Sequence, residues 1–116
     1  MKNGEDMLQI ACVRWFRVQF PNIIIHHSPN GGKRNLMTAI KFKAMGTLAG
    51  FPDLFIAYPA KGYNGLFIEM KDGKKGVVSQ AQKDVIANLK SYGYKAEVVR
   101  TFQDFVNIVS DYIMIK

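Results

Sequence analysis

Two stretches of this chain, "DLFIAY" (53–58) and "LFIEMK" (66–71), are apolar at almost every position, and the segment between them, "PAKGYNG", holds Pro59, Gly62 and the pair Asn64-Gly65. Short apolar runs separated by such residues are hairpin strands joined by a turn. Successive strand side chains alternate in direction, so Leu54, Ile56, Leu66 and Ile68 share one face while Phe55 and Phe67 share the other. A strand pair that is apolar on both faces must be covered on both, which calls for a sheet with helices on two sides. A hairpin folded symmetrically about Lys61 pairs Ile56 with Leu66 and Leu54 with Ile68, and it sets Asp53 opposite Glu69.

The remaining segments supply the covering helices. The pattern Met7, Leu8, Ala11, Trp15, Val18, preceded by Asn3 as a cap and by Glu5 and Asp6 in the first turn, predicts a helix over about 5–20. "NIIIHH" reads as a short strand, "SPNGGKR" as a loop, and "LMTAIKFKAMG" as a second, basic helix closed by Gly46. Ser79 opens a third helix with Ala81, Val85, Ile86, Leu89 and Tyr92 as its apolar stripe, and Gly93 ends it. "AEVVR" is a fourth strand and "FQDFVNIVSDYIMI" a last helix. With 116 residues, 48% of them hydrophobic, the chain is expected to form a single domain over 1–116.

Charge narrows the partners. Sixteen Lys and Arg stand against nine Asp and Glu, and no acid occurs between Met7 and Pro52, where Arg14, Arg17, Lys33, Arg34, Lys41 and Lys43 all fall. Such a segment suits a polyanion, with solubility as the plainer reading. Lys33, Arg34, Lys41 and Lys43 are the candidate DNA contacts; Gly31 and Gly32 beside the first two could add backbone N–H groups for a phosphate. No apolar run reaches the roughly 18 residues of a membrane span, and Arg14 and Arg17 interrupt the first helix where a signal peptide would be apolar, so a cytosolic protein without a membrane partner is expected. The one cysteine, Cys12, excludes an internal disulfide and a cysteine-based zinc site.

The charges that end the hairpin carry the chemistry. Opposed strand residues hold their Cβ atoms roughly 4.5–5.5 Å apart, so Asp53 and Glu69 would repel unless something positive lies between them. Lys71 points to the same face as Glu69; a divalent cation held by both carboxylates is the stronger neutraliser. An ordinary exposed ion pair at a strand end is the alternative. Gln82 completes an S-x-x-Q capping box with Ser79. His26 and His27, with Asn30 near, suggest an HNH-type nuclease, but no histidine follows residue 27 to complete one. No serine, threonine or cysteine forms a triad pattern with a histidine.

In the order G-x-P-D then E-x-K, the residues Gly50, Pro52, Asp53, Glu69 and Lys71 resemble the core of the PD-(D/E)XK nuclease superfamily. More narrowly, "NGGKR", "KAMGTLAGFPDL", "LFIEMK", "GVVSQAQ" and "SYGYKAEVVRT" together resemble the virus-type replication-repair nuclease (VRR-NUC) domain in its stand-alone form, known from phages and bacteria. The resemblance spans Glu5 to about Ile113. It implies a restriction-endonuclease-like α/β core, a central mixed four-stranded sheet flanked by helices, and hydrolysis of DNA phosphodiesters with Mg²⁺ or Mn²⁺. Asp53, Glu69 and the backbone carbonyl of Met70 would be the metal ligands, and Lys71 would orient the attacking water or stabilise the phosphate. Gln82 would position Lys71 and the water. Glu5 matches the family's additional acidic ligand, with Asp6 as a rival and a plain helix-start role open to both.

The stand-alone form further implies a homodimer acting on branched DNA, such as a four-way (Holliday) junction. The last helix offers a motive, since Ile108, Met114 and Ile115 are left over from the stripe of Phe102, Phe105, Val106, Val109, Tyr112 and Ile113. A catalytically silent DNA-binding module and an RNA nuclease of the same superfamily are the alternatives.

Overall fold

The computed structural model describes residues 4–29 and 35–114. Eight elements follow in order: α1 (Gly4–Gln19), β1 (Ile25–His27), α2 (Leu36–Ala44), β2 (Leu54–Ile56), β3 (Leu66–Met70), α3 (Gln80–Ser91), β4 (Lys95–Val99) and α4 (Phe102–Ile113). The four strands form one mixed sheet in the order β1-β2-β3-β4, with antiparallel pairing up to β3 and a parallel β3–β4 pair. The hairpin register is the one read from the sequence: Leu54 faces Ile68, Phe55 faces Phe67 and Ile56 faces Leu66. Beyond Leu54 the ladder stops, and Asp53 bends away as a side-chain acceptor.

Each face of the sheet has its own cover. On one side Leu54, Ile56, Leu66, Ile68, Met70 and Val99 pack with Cys12 and Phe16 of α1 and with Phe105, Val109 and Tyr112 of α4. On the other, Phe67 and Ala96 pack with Val85 and Leu89 of α3, and Phe51, Phe55 and Tyr94 close the rim. Phe55 stacks on Phe67 with ring centroids 4.4 Å apart; such pairs add about 0.5–1.5 kcal/mol beyond the area they bury. Cys12 is fully buried, and burial pushes its thiol up to about 12, as expected of a packing residue.

The helix ends follow local chemistry. Asn35 Oδ1 accepts from Thr38 N, Ser79 Oγ from Gln82 N, and Thr101 Oγ1 from Asp104 N, each an N-cap. Gly93 takes φ +92° after α3, as a helix stop requires. At the far end of the hairpin, Lys61 Nζ donates to the carbonyls of Tyr112 and Met114 and thereby ties the turn to the C-terminus of α4.

Some details depart from the sequence reading. β1 covers only the second half of "NIIIHH", because the chain still turns at 21–23 after α1. Ile108 is not surplus: it is half-buried against the core of α1 and α4, which leaves Met114 as the exposed residue of that group, with Ile115 outside the described residues. The larger exposed apolar surface is on α2, where no residue is buried and Leu36, Met37 and Ile40 face solvent. Among the described residues no helix is long and apolar enough to cross a membrane.

Candidate active site

Asp53 and Glu69 lie on the α3 side of the sheet, where the hairpin meets the N-terminal ends of α1 and α3. The turn before Asp53 is held close to α3 by Gly50. It adopts φ +85°, and a Cβ there would stand 2.5 Å from the backbone carbon of Ala81 and 2.8 Å from Gln82 N. Only glycine fits, on conformational and on steric grounds. Asp53 Oδ2 then accepts the backbone N–H of Met70 at 2.7 Å, which locks the first carboxylate onto the strand that carries the second.

Glu69 is 2% exposed, and β3 is buried along its whole length. Its Oε2 accepts from Gln82 Nε2 at 3.0 Å and lies 3.7 Å from Lys71 Nζ. Among the described residues its Oε1 is buried with no hydrogen-bond partner. Burial, then the charge of neighbouring Asp53, push the Glu69 carboxyl up to about 8; Lys71 opposes that rise and does not cancel it. Lys71 is itself largely buried, its backbone N–H bonded to Val99 O and its stem covered by Gly76, where a Cβ would come within 3.0 Å of Lys71 Cβ. Arg100 secures that cover by donating from one nitrogen to the carbonyls of Gly73 and Gly76, at 2.9 and 2.6 Å.

Gln82 closes the capping box and also reaches the site, where its partner is Glu69 and not Lys71. Its Oε1 accepts from Ser79 N at 2.9 Å to close the capping box, while its Nε2 donates to Glu69. One carboxamide has an acceptor end and a donor end, so helix capping and carboxylate positioning do not compete.

Glu5, in the first turn of α1, is half-buried and its carboxyl is raised, first by burial and next by the charge of Asp53; Lys71 lowers it. It therefore stands toward the site, whereas Asp6 is exposed. Among the described residues no three His, Cys, Asp or Glu side chains are gathered closely enough to hold a metal by themselves, so Glu5 is near the Asp53–Glu69 pair and not part of a finished cage. The oxygen-only donor set of Asp53, Glu69 and the Met70 carbonyl, with one buried carboxylate oxygen lacking a hydrogen-bond partner among the described residues, fits a hard divalent cation.

Of the candidate DNA contacts, Lys41 and Lys43 are exposed on α2, and Lys33 and Arg34, with Gly31 and Gly32, lie outside the described residues. The structure adds residues that the sequence reading did not assign to the site. Arg100 holds the loop over Lys71, and His27 Nδ1 lies 2.9 Å from the Asp53 carbonyl. Arg100 falls inside the quoted "SYGYKAEVVRT", but nothing in that string says what it grips. The only signal for His27 was its membership of an otherwise unexplained histidine pair.

Comparison with known proteins places the chain in a family. The family model of the VRR-NUC domain matches residues 3–103. A solved structure described as a VRR_NUC domain protein superposes with a TM-score of 0.82 at 33% sequence identity, covering 97% of this chain and 90% of that one. No curated protein matches the chain in sequence. The mixed sheet flanked by four helices is the restriction-endonuclease-like arrangement. On the strength of the sequence match and the shared fold, the chain belongs to the VRR-NUC family of nuclease-type domains.

Proposed function

We propose that the protein is a divalent-metal-dependent DNA endonuclease that hydrolyses phosphodiesters at the Asp53–Glu69–Lys71 site and acts as a homodimer on branched DNA. The observation that carries the metal-dependent reading is Glu69 Oε1, a buried carboxylate oxygen with no hydrogen-bond partner among the described residues, beside a second carboxylate. A silent DNA-binding module has no use for that arrangement, because two acids held together with one of them buried destabilise the fold that contains them.

Asp53, Glu69 and the carbonyl of Met70 would hold Mg²⁺ or Mn²⁺, with Glu5 as the further acid. When bound, such an ion supplies Lewis acidity toward the phosphodiester and its attacking water. The chain's own residues do the rest. Gln82 fixes the rotamer of Glu69 through Oε2, and the Met70 N–H does the same for Asp53 through Oδ2. Lys71 Nζ, anchored near Glu69 Oε2, would orient the water and, as an ammonium, offset the negative charge that builds on the phosphoryl oxygens.

The support for a dimer is the exposed apolar surface of a small domain, chiefly Leu36, Met37 and Ile40 with Met45 just beyond the helix. Two sites related by a two-fold axis would nick two strands of a symmetric junction in one encounter. Purified protein incubated with linear, flapped and four-way DNA in Mg²⁺, Mn²⁺ or EDTA tests the reading. Metal-dependent cleavage favouring the four-way substrate, together with light scattering at about twice 13.1 kDa, is the expected result. Binding without cleavage in either metal would leave only the silent module.

A further inference from the structure

A groove of about 540 Å³ runs between the outer side of α1 and β1, lined by Gln9, Ile10, Val13, Arg14, Arg17, Val18 and His27. Arg14 and Arg17 are exposed and, among the described residues, form no salt bridge or side-chain hydrogen bond. At one end the groove reaches His27, which contacts the backbone of Asp53. His27 is on the edge strand β1, opposite Leu54, and its Nδ1 lies 2.9 Å from the carbonyl of Asp53, which also accepts from Ser28 N. A carbonyl only accepts, so His27 Nδ1 must carry the proton; its Nε2 is then left for another partner. Gln9, whose carboxamide is 3.0 Å from the same Nδ1, suits that proton with its oxygen turned to the ring. The chain Gln9–His27–Asp53 thus joins the groove to the backbone of a proposed metal ligand.

We infer that this groove is a second nucleic-acid site, which holds the phosphate backbone of one DNA strand beside the scissile phosphate. The inference rests on the nuclease reading above. Two guanidiniums on one helix face, with an imidazole at the active-site end, form a cationic track. Phosphate oxygens are their natural partners, since guanidinium geometry matches a phosphate in two-point contact. From Gln9 to Arg17 the helix rises about 12 Å at 1.5 Å per residue. At about 3.4 Å of axis per nucleotide, that length covers roughly three nucleotides. Ile10, Val13 and Val18 give the track an apolar floor suited to sugars and base edges. No acid lies in the sequence from Met7 to Pro52, so the groove-lining turns of α1 and β1 bring no carboxylate against the strand; the acids of α1, Glu5 and Asp6, are confined to its first turn.

The test is fluorescence anisotropy of a labelled single-stranded oligonucleotide in EDTA, over a series of salt concentrations. It compares the wild type, Arg14→Ala/Arg17→Ala, and Lys90→Ala on the opposite face of the sheet. On a single strand each lost phosphate contact lowers the log–log salt slope by about 0.7, so the double variant should lose about 1.4 from its slope and on the order of tenfold in affinity at low salt. Lys90→Ala should match the wild type. A double variant with the slope and affinity of the wild type would overturn the inference, as would an equal loss in Lys90→Ala. Circular dichroism of all three excludes unfolding, which exposed substitutions should not cause. Cleavage of the same strand by the wild type in Mn²⁺ reports separately on the nuclease reading: cleavage with an unaltered double variant removes the groove alone, and binding that depends on both arginines without cleavage removes the nuclease alone.

Discussion

Replacing Glu69 by glutamine should make the metal-free protein more stable at neutral and alkaline pH. Glu69 is 2% exposed and its carboxyl is raised from 4.5 to about 8. Between those values the native state binds a proton that the unfolded chain does not, so stability is fully present below about pH 4.5 and falls as pH rises toward 8. At about 1.36 kcal/mol per pH unit, the loss from this one group between pH 5 and pH 8 is on the order of 3 kcal/mol. For a domain of this size about 1 kcal/mol corresponds to roughly 4 °C in Tm, which gives a fall of about 12 °C. Glu69→Gln keeps the shape and an acceptor for Gln82 but carries no titrating proton. Thermal melts followed by circular dichroism in EDTA at pH 5, 6, 7 and 8 are the assay, with the difference between the two proteins as the readout, so that other acids, Glu5 included, largely subtract out. The variant's curve should be flatter by most of that 12 °C, and the variant should be the more stable protein at pH 8. Parallel curves for the two proteins would refute the burial argument and with it the case that Glu69 is held at a cost.

Millimolar Mn²⁺ should raise the Tm of the wild type, since an ion that binds only the native state adds stability by mass action, and should scarcely move Glu69→Ala; equal shifts in the two would dismiss this metal site. Lys71→Ala should abolish cleavage while metal-induced stabilisation and DNA affinity in EDTA persist, and wild-type cleavage by that variant would remove the lysine from the chemistry. Gln82→Ala should lose about 1 kcal/mol of stability from the capping box together with turnover, whereas Gln82→Glu keeps an acceptor for Ser79 N but sets a carboxylate against Glu69. Melts and single-turnover rates separate the two, and equal turnover in Gln82→Glu and the wild type would contradict the hydrogen bond to Glu69. Lys41→Ala/Lys43→Ala should lower the salt slope of duplex binding by about two, as measured by anisotropy; an unchanged slope would place the duplex away from α2.

The strand pair was legible because its signal is local. Leu54, Ile56, Leu66 and Ile68 alternate with Phe55 and Phe67, and the turn between the runs sets the register that is observed. Asp53, Glu69 and Lys71 were legible for the same reason, since two strand ends determine where they stand. His27 was not, because its contact with the Asp53 carbonyl depends on β1 pairing with β2 across an intervening helix. Ile108 was misplaced because the sequence stripe of α4 was drawn for a sheet alone, while that helix also packs against α1. The exposure of Leu36, Met37 and Ile40 was hidden for the converse reason: an apolar helical pattern states a preference for burial, and no other element of the described chain provides it.

Gly50 touches no substrate and holds no charge, yet it governs how a mutational scan of this protein will read. Because a Cβ at this position would stand 2.5 Å from the backbone of Ala81, any substitution pushes the N-terminal end of α3 away from the turn that carries Asp53. The amide of Gln82 travels with that end, and its 3.0 Å bond to Glu69 has little slack. An inactivity map would therefore rank position 50 beside the carboxylates themselves, even though its contribution is an absence of atoms. Chemical rescue separates the two kinds of position, since an added ion or amine can replace a missing functional group but cannot restore a missing clearance.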